Sequence, residues 1–89
     1  MTSLVRKSPQ NFLATRLDDE LILVHGKTGA FFSIKDHGLD IWEALDETGD
    51  LGEIAARMCR KYEVEPAVAE QDVGEFASSL VEAGFATFH

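Results

Sequence analysis

The stretch VHGKTGAFFSI, residues 24–34, decides the fold because it reverses the chain between two apolar segments. Its GKT resembles the end of a phosphate-binding loop, G-x-x-x-x-G-K-[ST], which requires a first glycine where this chain has Leu21 and a helix directly afterwards. The residues directly after the turn are instead AFFSI, whose aromatic and β-branched side chains are typical of a strand. Gly26 and Gly29 offer positive backbone φ angles at the tip. The stretch therefore predicts a β-hairpin and excludes a nucleotide site.

Two further strand patterns place this hairpin in a small sheet. Residues 12–17 (FLATRL) and 21–25 (LILVH) precede residues 30–34 (AFFSI), and the connections between them are short. Successive strands joined by short turns form an antiparallel meander. The polar segment 1–10 shows no periodicity, so we expect it to be flexible. Residues 11–89 then form a single domain.

The period of the apolar residues becomes helical after the sheet. Asp36 is a candidate N-cap for a first helix, and Asp50 with Glu53 resembles a capping box for a second. Pro66 suits the first turn of a third helix, and Gly84 suits its end. The apolar stripes are Leu39, Ile41, Trp42 and Leu45; then Leu51, Ile54, Ala55, Met58, Cys59 and Tyr62; then Val73, Phe76, Ala77, Leu80 and Val81. A three-stranded antiparallel sheet followed by three helices predicts an α+β fold of the winged helix-turn-helix type.

The charge distribution argues against nucleic acid as a partner. The 89 residues carry a formal net charge of −8, and the predicted third helix, AVAEQDVGEFASSLVEAG, has four acidic residues and neither Lys nor Arg. A helix that reads DNA needs donors for phosphates and base edges. A winged-helix DNA-binding or scaffold protein is therefore the alternative interpretation, and the sequence disfavours it.

The side chains that carry chemistry are scattered. Cys59 is alone, which excludes an intramolecular disulfide or a cysteine-based metal site and suits the cytoplasm. His25, His37 and His89 have no second ligand at metal-site spacing. No apolar run reaches the roughly 18 residues of a membrane span. We expect a cytoplasmic protein that is not an enzyme and uses no metal or cofactor.

The hairpin carries more apolar surface than one buried face requires. Leu, Ile, Leu and Val are consecutive at residues 21–24, and Phe31 precedes Phe32. Because side chains alternate along a strand, Phe32 and Ile34 share the core face, while Phe31 and Ser33 share the other. The surplus has three explanations: cover by the N-terminal strand or the third helix, a homodimer through the sheet, or an open edge that accepts an extended peptide as an added strand.

Four segments in order resemble the PqqD family, which is named for a pyrroloquinoline quinone biosynthesis protein. They are ILVHGKTGAFFSI, GLDIWEAL, LGEIAARMCRKYEV and DVGEFASSLVEAGF, which together span about three quarters of the chain. The family includes elements that recognise the precursor peptides of ribosomally synthesised and modified products. Ile34 and Lys35 replace the usual Leu-Asn pair, and Ala77 replaces a common Leu. These departures favour a stand-alone recognition element over the quinone pathway member.

The resemblance implies a function and a site. It implies that the leader of a precursor peptide lies as an extra strand in a groove between residues 30–34 and the third helix. A partner enzyme, such as a leader peptidase or a radical SAM maturase, then receives the peptide, and lasso peptide biosynthesis is one such pathway. Carried over to this chain, the binding residues are Phe31, Phe32, Ser33, Ile34, Asp72, Val73, Phe76, Ser79 and Leu80.

Overall fold

The computed structural model of the chain describes residues 4–89 as two antiparallel sheets and three helices. The strands are β1 (Val5–Lys7), β2 (Phe12–Leu17), β3 (Glu20–His25), β4 (Phe31–Lys35) and β5 (Ala86–Phe88). The helices are α1 (His37–Ala44), α2 (Leu51–Tyr62) and α3 (Pro66–Glu82), and a short 3₁₀ turn, Pro9–Asn11, precedes β2.

The three-stranded sheet has the predicted meander order, β2-β3-β4. Leu23 lies opposite Ala14 on one side and Phe32 on the other, which fixes the register of all three strands. On β3 and β4, the buried side chains alternate with more exposed ones, as the period-2 rule requires. The predicted α+β class, with a three-stranded antiparallel sheet and three helices, is confirmed.

The hairpin tip is closed by a histidine as well as by a glycine. Nδ1 of His25 accepts hydrogen bonds from the main-chain N–H groups of Lys27, at 3.1 Å, and Thr28, at 3.3 Å. Gly29 has the expected positive φ, +74°. Gly26 does not have positive φ, and its N–H donates to the Asn11 carbonyl at 2.8 Å, which continues the ladder with β2. The prediction for Gly26 was therefore wrong.

The helix ends follow the predicted residues with two differences. Asp50 caps α2, since its side chain accepts from the Glu53 N–H at 3.1 Å. The return bond of the capping box is replaced, because the Asp50 N–H donates to the Thr48 hydroxyl instead. Asp36 stands at the N-cap of α1 with a φ of +54°, but its side chain makes no capping bond. Gly84 ends α3 with a φ of +87°.

The N-terminal segment differs from its prediction. Instead of a flexible segment over residues 1–10, Val5–Lys7 form β1, which pairs antiparallel with β5 in the register Val5 to Phe88. Val5 is only 2% exposed and joins the core. Sequence periodicity does not reveal this strand, because its partner lies at the other end of the chain. Residues 1–3 lie outside the described part.

The core lies between the inner face of the three-stranded sheet and the helices. Phe85, fully buried after α3, contacts both outer strands of the sheet: its ring lies 5.8 Å from that of Phe12 on β2 and 6.0 Å from that of Phe32 on β4. The other large side chains that are completely buried are Leu23, Ile34, Ile54, Val73 and Leu80. Burial of each such side chain stabilises the fold by about 1.5–3 kcal/mol.

Candidate functional site

The outer edge of β4 is open. Within residues 4–89, β4 pairs only with β3, and the N-terminal strand pairs with β5 instead of covering this edge. Of the explanations for the apolar hairpin, cover of the β4 edge by the N-terminal strand is therefore excluded. Edge strands that keep unpaired main-chain groups are templates for another strand.

The hydrogen-bond alternation shows which groups the edge presents. The His25 N–H donates to the Ala30 carbonyl at 2.8 Å, so these two residues form a hydrogen-bonded pair. In an antiparallel ladder every second pair is hydrogen-bonded. The pairs Leu23–Phe32 and Leu21–Ile34 therefore carry the other hydrogen bonds between β3 and β4. The intervening residues, Phe31, Ser33 and Lys35, then direct their N–H and C=O groups outward. These three residues form the free face of the ladder.

Helix α3 makes a wall beside this edge. Phe76 projects from α3 toward β4 and meets Phe32 edge-to-face, with ring centroids 6.1 Å apart. Asp72 and Ser79 lie four residues before and three residues after Phe76, so all three share one side of the helix. Both Asp72 and Ser79 are exposed. We call the space bounded by β4 and this side of α3 the β4–α3 groove.

The structure separates the nine predicted binding residues into two groups. Six line the β4–α3 groove or its strand, namely Phe31, Phe32, Ser33, Asp72, Phe76 and Ser79. The side chains of Ile34, Val73 and Leu80 are fully buried. Their prediction as peptide contacts is corrected: they face the inside of the domain, and the main-chain groups of Ile34 bond to β3. The role of the other six in peptide binding stays a prediction.

Two residues of this region escaped the sequence analysis. Lys35 presents an outward main-chain position, which the strand alternation could have indicated. Gly38, the second residue of α1, lies against Phe76, and a Cβ atom there would come within 3.1 Å of the Phe76 ring. Nothing in the sequence signals this contact, because it joins residues on different elements.

A polar network lies near the α1 end of the β4–α3 groove. The Asp40 carboxylate accepts hydrogen bonds from the Tyr62 hydroxyl and from Lys61 Nζ, the latter at 2.9 Å. The ring of His37 rests against that of Tyr62, with centroids 4.0 Å apart. A cavity of about 50 Å³ adjoins the network. It is lined by His37, Ile41, Met58, Tyr62, Val64, Ala69, Asp72 and Val73.

This network shifts the pKa values of Asp40, Lys61 and Tyr62. Partial burial by itself raises the pKa of Asp40, but the hydrogen bonds from Tyr62 and Lys61 outweigh it and hold this pKa below its ordinary value. The hydrogen bond to the Asp40 carboxylate also raises the pKa of Lys61 and that of Tyr62. The network ties α1 to the end of α2 and supplies no nucleophile.

The wall is acidic along its exposed sides. Its carboxylates are Glu70, Asp72, Glu75 and Glu82, and the ion pairs among residues 4–89 all lie on other elements. In the same part of the chain, no cluster of three or more His, Cys, Asp or Glu side chains could hold a metal ion. Nor is any helix of residues 4–89 long and apolar enough to cross a membrane.

The fold and the β4–α3 groove define a small α+β domain with an open sheet edge beside a helix. The family described as Coenzyme PQQ synthesis protein D (PqqD) matches residues 20–86, and the chain belongs to this family. The family resemblance read from the sequence is thus confirmed. No curated protein matches the chain.

Two solved structures are similar over nearly the whole chain. One is TbiB1 in complex with the TbiA(beta) leader peptide: it is 28% identical, with 91% of this chain and 93% of that chain covered and a TM-score of 0.80. The other is a lasso peptide synthetase B1 complexed with the leader peptide: it is 26% identical, with 93% of this chain and 96% of that chain covered and a TM-score of 0.82.

Proposed function

We propose that this protein captures the leader of a ribosomally synthesised precursor peptide by strand addition at the β4 edge. It presents the bound peptide to a modifying enzyme or a leader peptidase and performs no catalysis itself. The observation that carries the proposal is the open edge of β4, with outward main-chain groups at Phe31, Ser33 and Lys35, beside the wall that Phe76 provides. Both similar structures hold leader peptides.

In β-augmentation, affinity and selectivity come from different groups of the protein. Main-chain bonds to the edge supply affinity for any extended segment, while side-chain pockets supply selectivity. An added strand directs alternate side chains toward α3, where they meet Phe32 and Phe76, and the others toward the face that holds Phe31. The pathway that we favour is lasso peptide biosynthesis, because one of the similar proteins is a lasso peptide synthetase component. A radical SAM maturase is the alternative enzyme partner.

In this proposal, the winged helix-turn-helix arrangement serves to hold a peptide and not duplex DNA. The acidic side chains of α3 would repel phosphates. A mobility-shift assay with random duplex at low salt tests this, since non-specific DNA binding is strongest there. We expect no shift, and a salt-sensitive shift would restore the DNA-binding alternative.

Proline substitution tests the strand-addition mechanism. Ser33→Pro removes an outward donor from the β4 edge, where proline is tolerated best. The loss of one net hydrogen bond, about 0.5–1.5 kcal/mol, should weaken peptide binding about threefold to tenfold. Two peptides labelled for fluorescence anisotropy serve as the leader probes: the TbiA(beta) leader peptide, and a leader surrogate that the parent protein enriches from a displayed random library.

Two control variants make this experiment specific. Ser33→Ala keeps the N–H and should bind like the parent. Ala14→Pro places the same substitution on the opposite edge, because the alternation set by the bond from Gly26 to Asn11 turns the main-chain groups of Ala14 away from β3. It should leave binding unchanged. Equal binding by Ser33→Pro and the parent would contradict strand addition at β4.

A further inference from the structure

Gly38 lies where a side chain would be crowded by its neighbours. A Cβ atom at this position would come within 3.1 Å of Cε1 of Phe76 and 3.3 Å of Cγ2 of Ile34. Ordinary carbon–carbon contacts are about 3.5–4.0 Å, so one of these neighbours would have to move. The main chain of α1 at Gly38 therefore packs directly against the Phe76 ring in the wall of the β4–α3 groove.

The backbone conformation does not explain the glycine. Positive φ angles occur at Gly29 and Gly84 but not at Gly38, which lies in the first turn of α1. Alanine would be favoured there by helix propensity, by up to about 1 kcal/mol. The close approach of Phe76 is the remaining physical reason for a residue without a side chain.

Of the two neighbours, Phe76 is the one that can give way. Ile34 is completely buried in the core, whereas Phe76 is half-buried on the groove side of α3. Close-packed interiors resist displacement more than partly exposed rings do. On its other side, Phe76 contacts Phe32 edge-to-face. A side chain at position 38 would therefore push the Phe76 ring into the β4–α3 groove.

We infer that Gly38 is a positioning residue for peptide binding: it lets Phe76 lie back against α1 and so keeps the β4–α3 groove open. Gly38 needs no contact with the peptide, because it acts through the ring. The inference rests on the proposed function, since it concerns the same site.

The test is Gly38→Ala, with binding of the two labelled leader probes and thermal unfolding measured side by side. We expect binding to weaken about tenfold, equivalent to about 1.4 kcal/mol, while the melting temperature stays within a few degrees of the parent. The matched control is Gly74→Ala on α3. No atom lies within 4 Å of a Cβ at that position, so binding should not change.

A second background separates positioning from a general structural effect. Phe76→Leu removes the ring that Gly38 accommodates, so adding Gly38→Ala to it should change its affinity by less than twofold. This pair decides the matter even if the single Gly38→Ala variant folds poorly. A tenfold loss in both backgrounds would overturn the inference, as would unchanged binding of Gly38→Ala.

The outcomes also distinguish this inference from the proposed function. If the parent does not bind the TbiA(beta) leader and enriches no peptide from the displayed library, the proposed function fails and the inference falls with it. If the parent binds a probe and Gly38→Ala binds it equally well, only the inference fails.

Discussion

The two edges of the three-stranded sheet differ in what lies beside them. Within residues 4–89, β2 and β4 each pair only with β3, and each sends one phenylalanine ring, Phe12 or Phe32, onto Phe85. The rest of β2 is exposed on both faces as far as Leu17. β4 instead buries Ile34 and packs Phe32 against α3.

The comparison shows that an open edge is not sufficient for a binding site. Both edges offer unpaired main-chain groups, which any extended peptide could use. Phe12 on β2 also meets a helix ring edge-to-face, that of Trp42 on α1 at 5.6 Å, but Trp42 is buried. Beside β4, the ring of Phe76 on α3 is only half-buried and forms an apolar wall that remains accessible. In the proposed function, selectivity for the β4 edge would therefore come from a side chain on a helix and not from the strand itself.

The largest predicted effect comes from the residue that the two edges share. Phe85→Ala removes a fully buried ring under both strands, which should lower the free energy of unfolding by about 3–5 kcal/mol. Urea denaturation measures this loss. Phe88→Ala, at a residue of β5 that is about half exposed, is the control and should cost far less. A loss below about 1 kcal/mol for Phe85→Ala would mean that the edges are supported independently.

The next largest effect should be on leader binding, and it should involve the β4 edge alone. Phe76→Ala removes the wall from β4 only, and truncation of such an aromatic anchor should weaken leader binding about 30-fold, or about 2 kcal/mol. Fluorescence anisotropy with the two leader probes measures it. Val68→Ala, at an exposed position near the start of α3, is the control. Binding that survives Phe76→Ala would show that the wall is not what distinguishes β4.

A smaller effect concerns the pH dependence of stability. The Asp40 network links α1, the helix that follows β4, to α2. The pKa of Asp40 is lowered in the folded protein from an ordinary value of 3.8. Its ionised form therefore stabilises the fold above about pH 4, and this contribution disappears as the pH falls through the lowered folded value.

Asp40→Asn measures this contribution. The substitution should lower the free energy of unfolding by about 1 kcal/mol at neutral pH, since the network is partly exposed. The difference between parent and variant should shrink when urea denaturation is repeated below about pH 4. A difference that grows on acidification would contradict the lowered pKa.

The smallest predicted effect compares the outer face at the two edges. Leu13 on β2 and Phe31 on β4 are 77% and 73% exposed, and both lie beside Val24 in the register of the sheet. Truncating either to Ala should change the free energy of unfolding by less than about 0.5 kcal/mol. Only Phe31→Ala should weaken leader binding, about twofold to fivefold, because an added strand would lie next to it. Equal losses for both variants would instead indicate peptide contact across the whole outer face.

Much of the fold could be predicted because its signals are local. The hairpin follows from strand patterns on either side of a short turn, and α2 from its apolar stripe and the cap at Asp50. The division of β4 into an inner and an outer face follows from the alternation of Phe31, Phe32, Ser33 and Ile34. Six of the nine site residues that the family resemblance implies lie at the β4–α3 groove or on its strand.

The rest depended on contacts between distant parts of the chain. Helical spacing places Val73, Phe76 and Leu80 on one stripe, but it does not say where the core ends. In the structure, Val73 and Leu80 are buried, and Phe76 stands at the boundary. The position of Gly38 under Phe76 is equally invisible, because the two residues lie far apart in the chain and no periodic pattern links them.

The amino-acid sequence by itself determined the three-stranded meander, the three helices, the two-faced character of β4 and the acidity of α3, because these depend on neighbours a few residues apart. Only the tertiary structure decided that β1 pairs with β5, which leaves the outer edge of β4 unpaired within residues 4–89. It also decided that Phe76 closes one side of this edge. Both outcomes come from long-range packing, in which each strand and ring takes the partner that buries the most apolar surface.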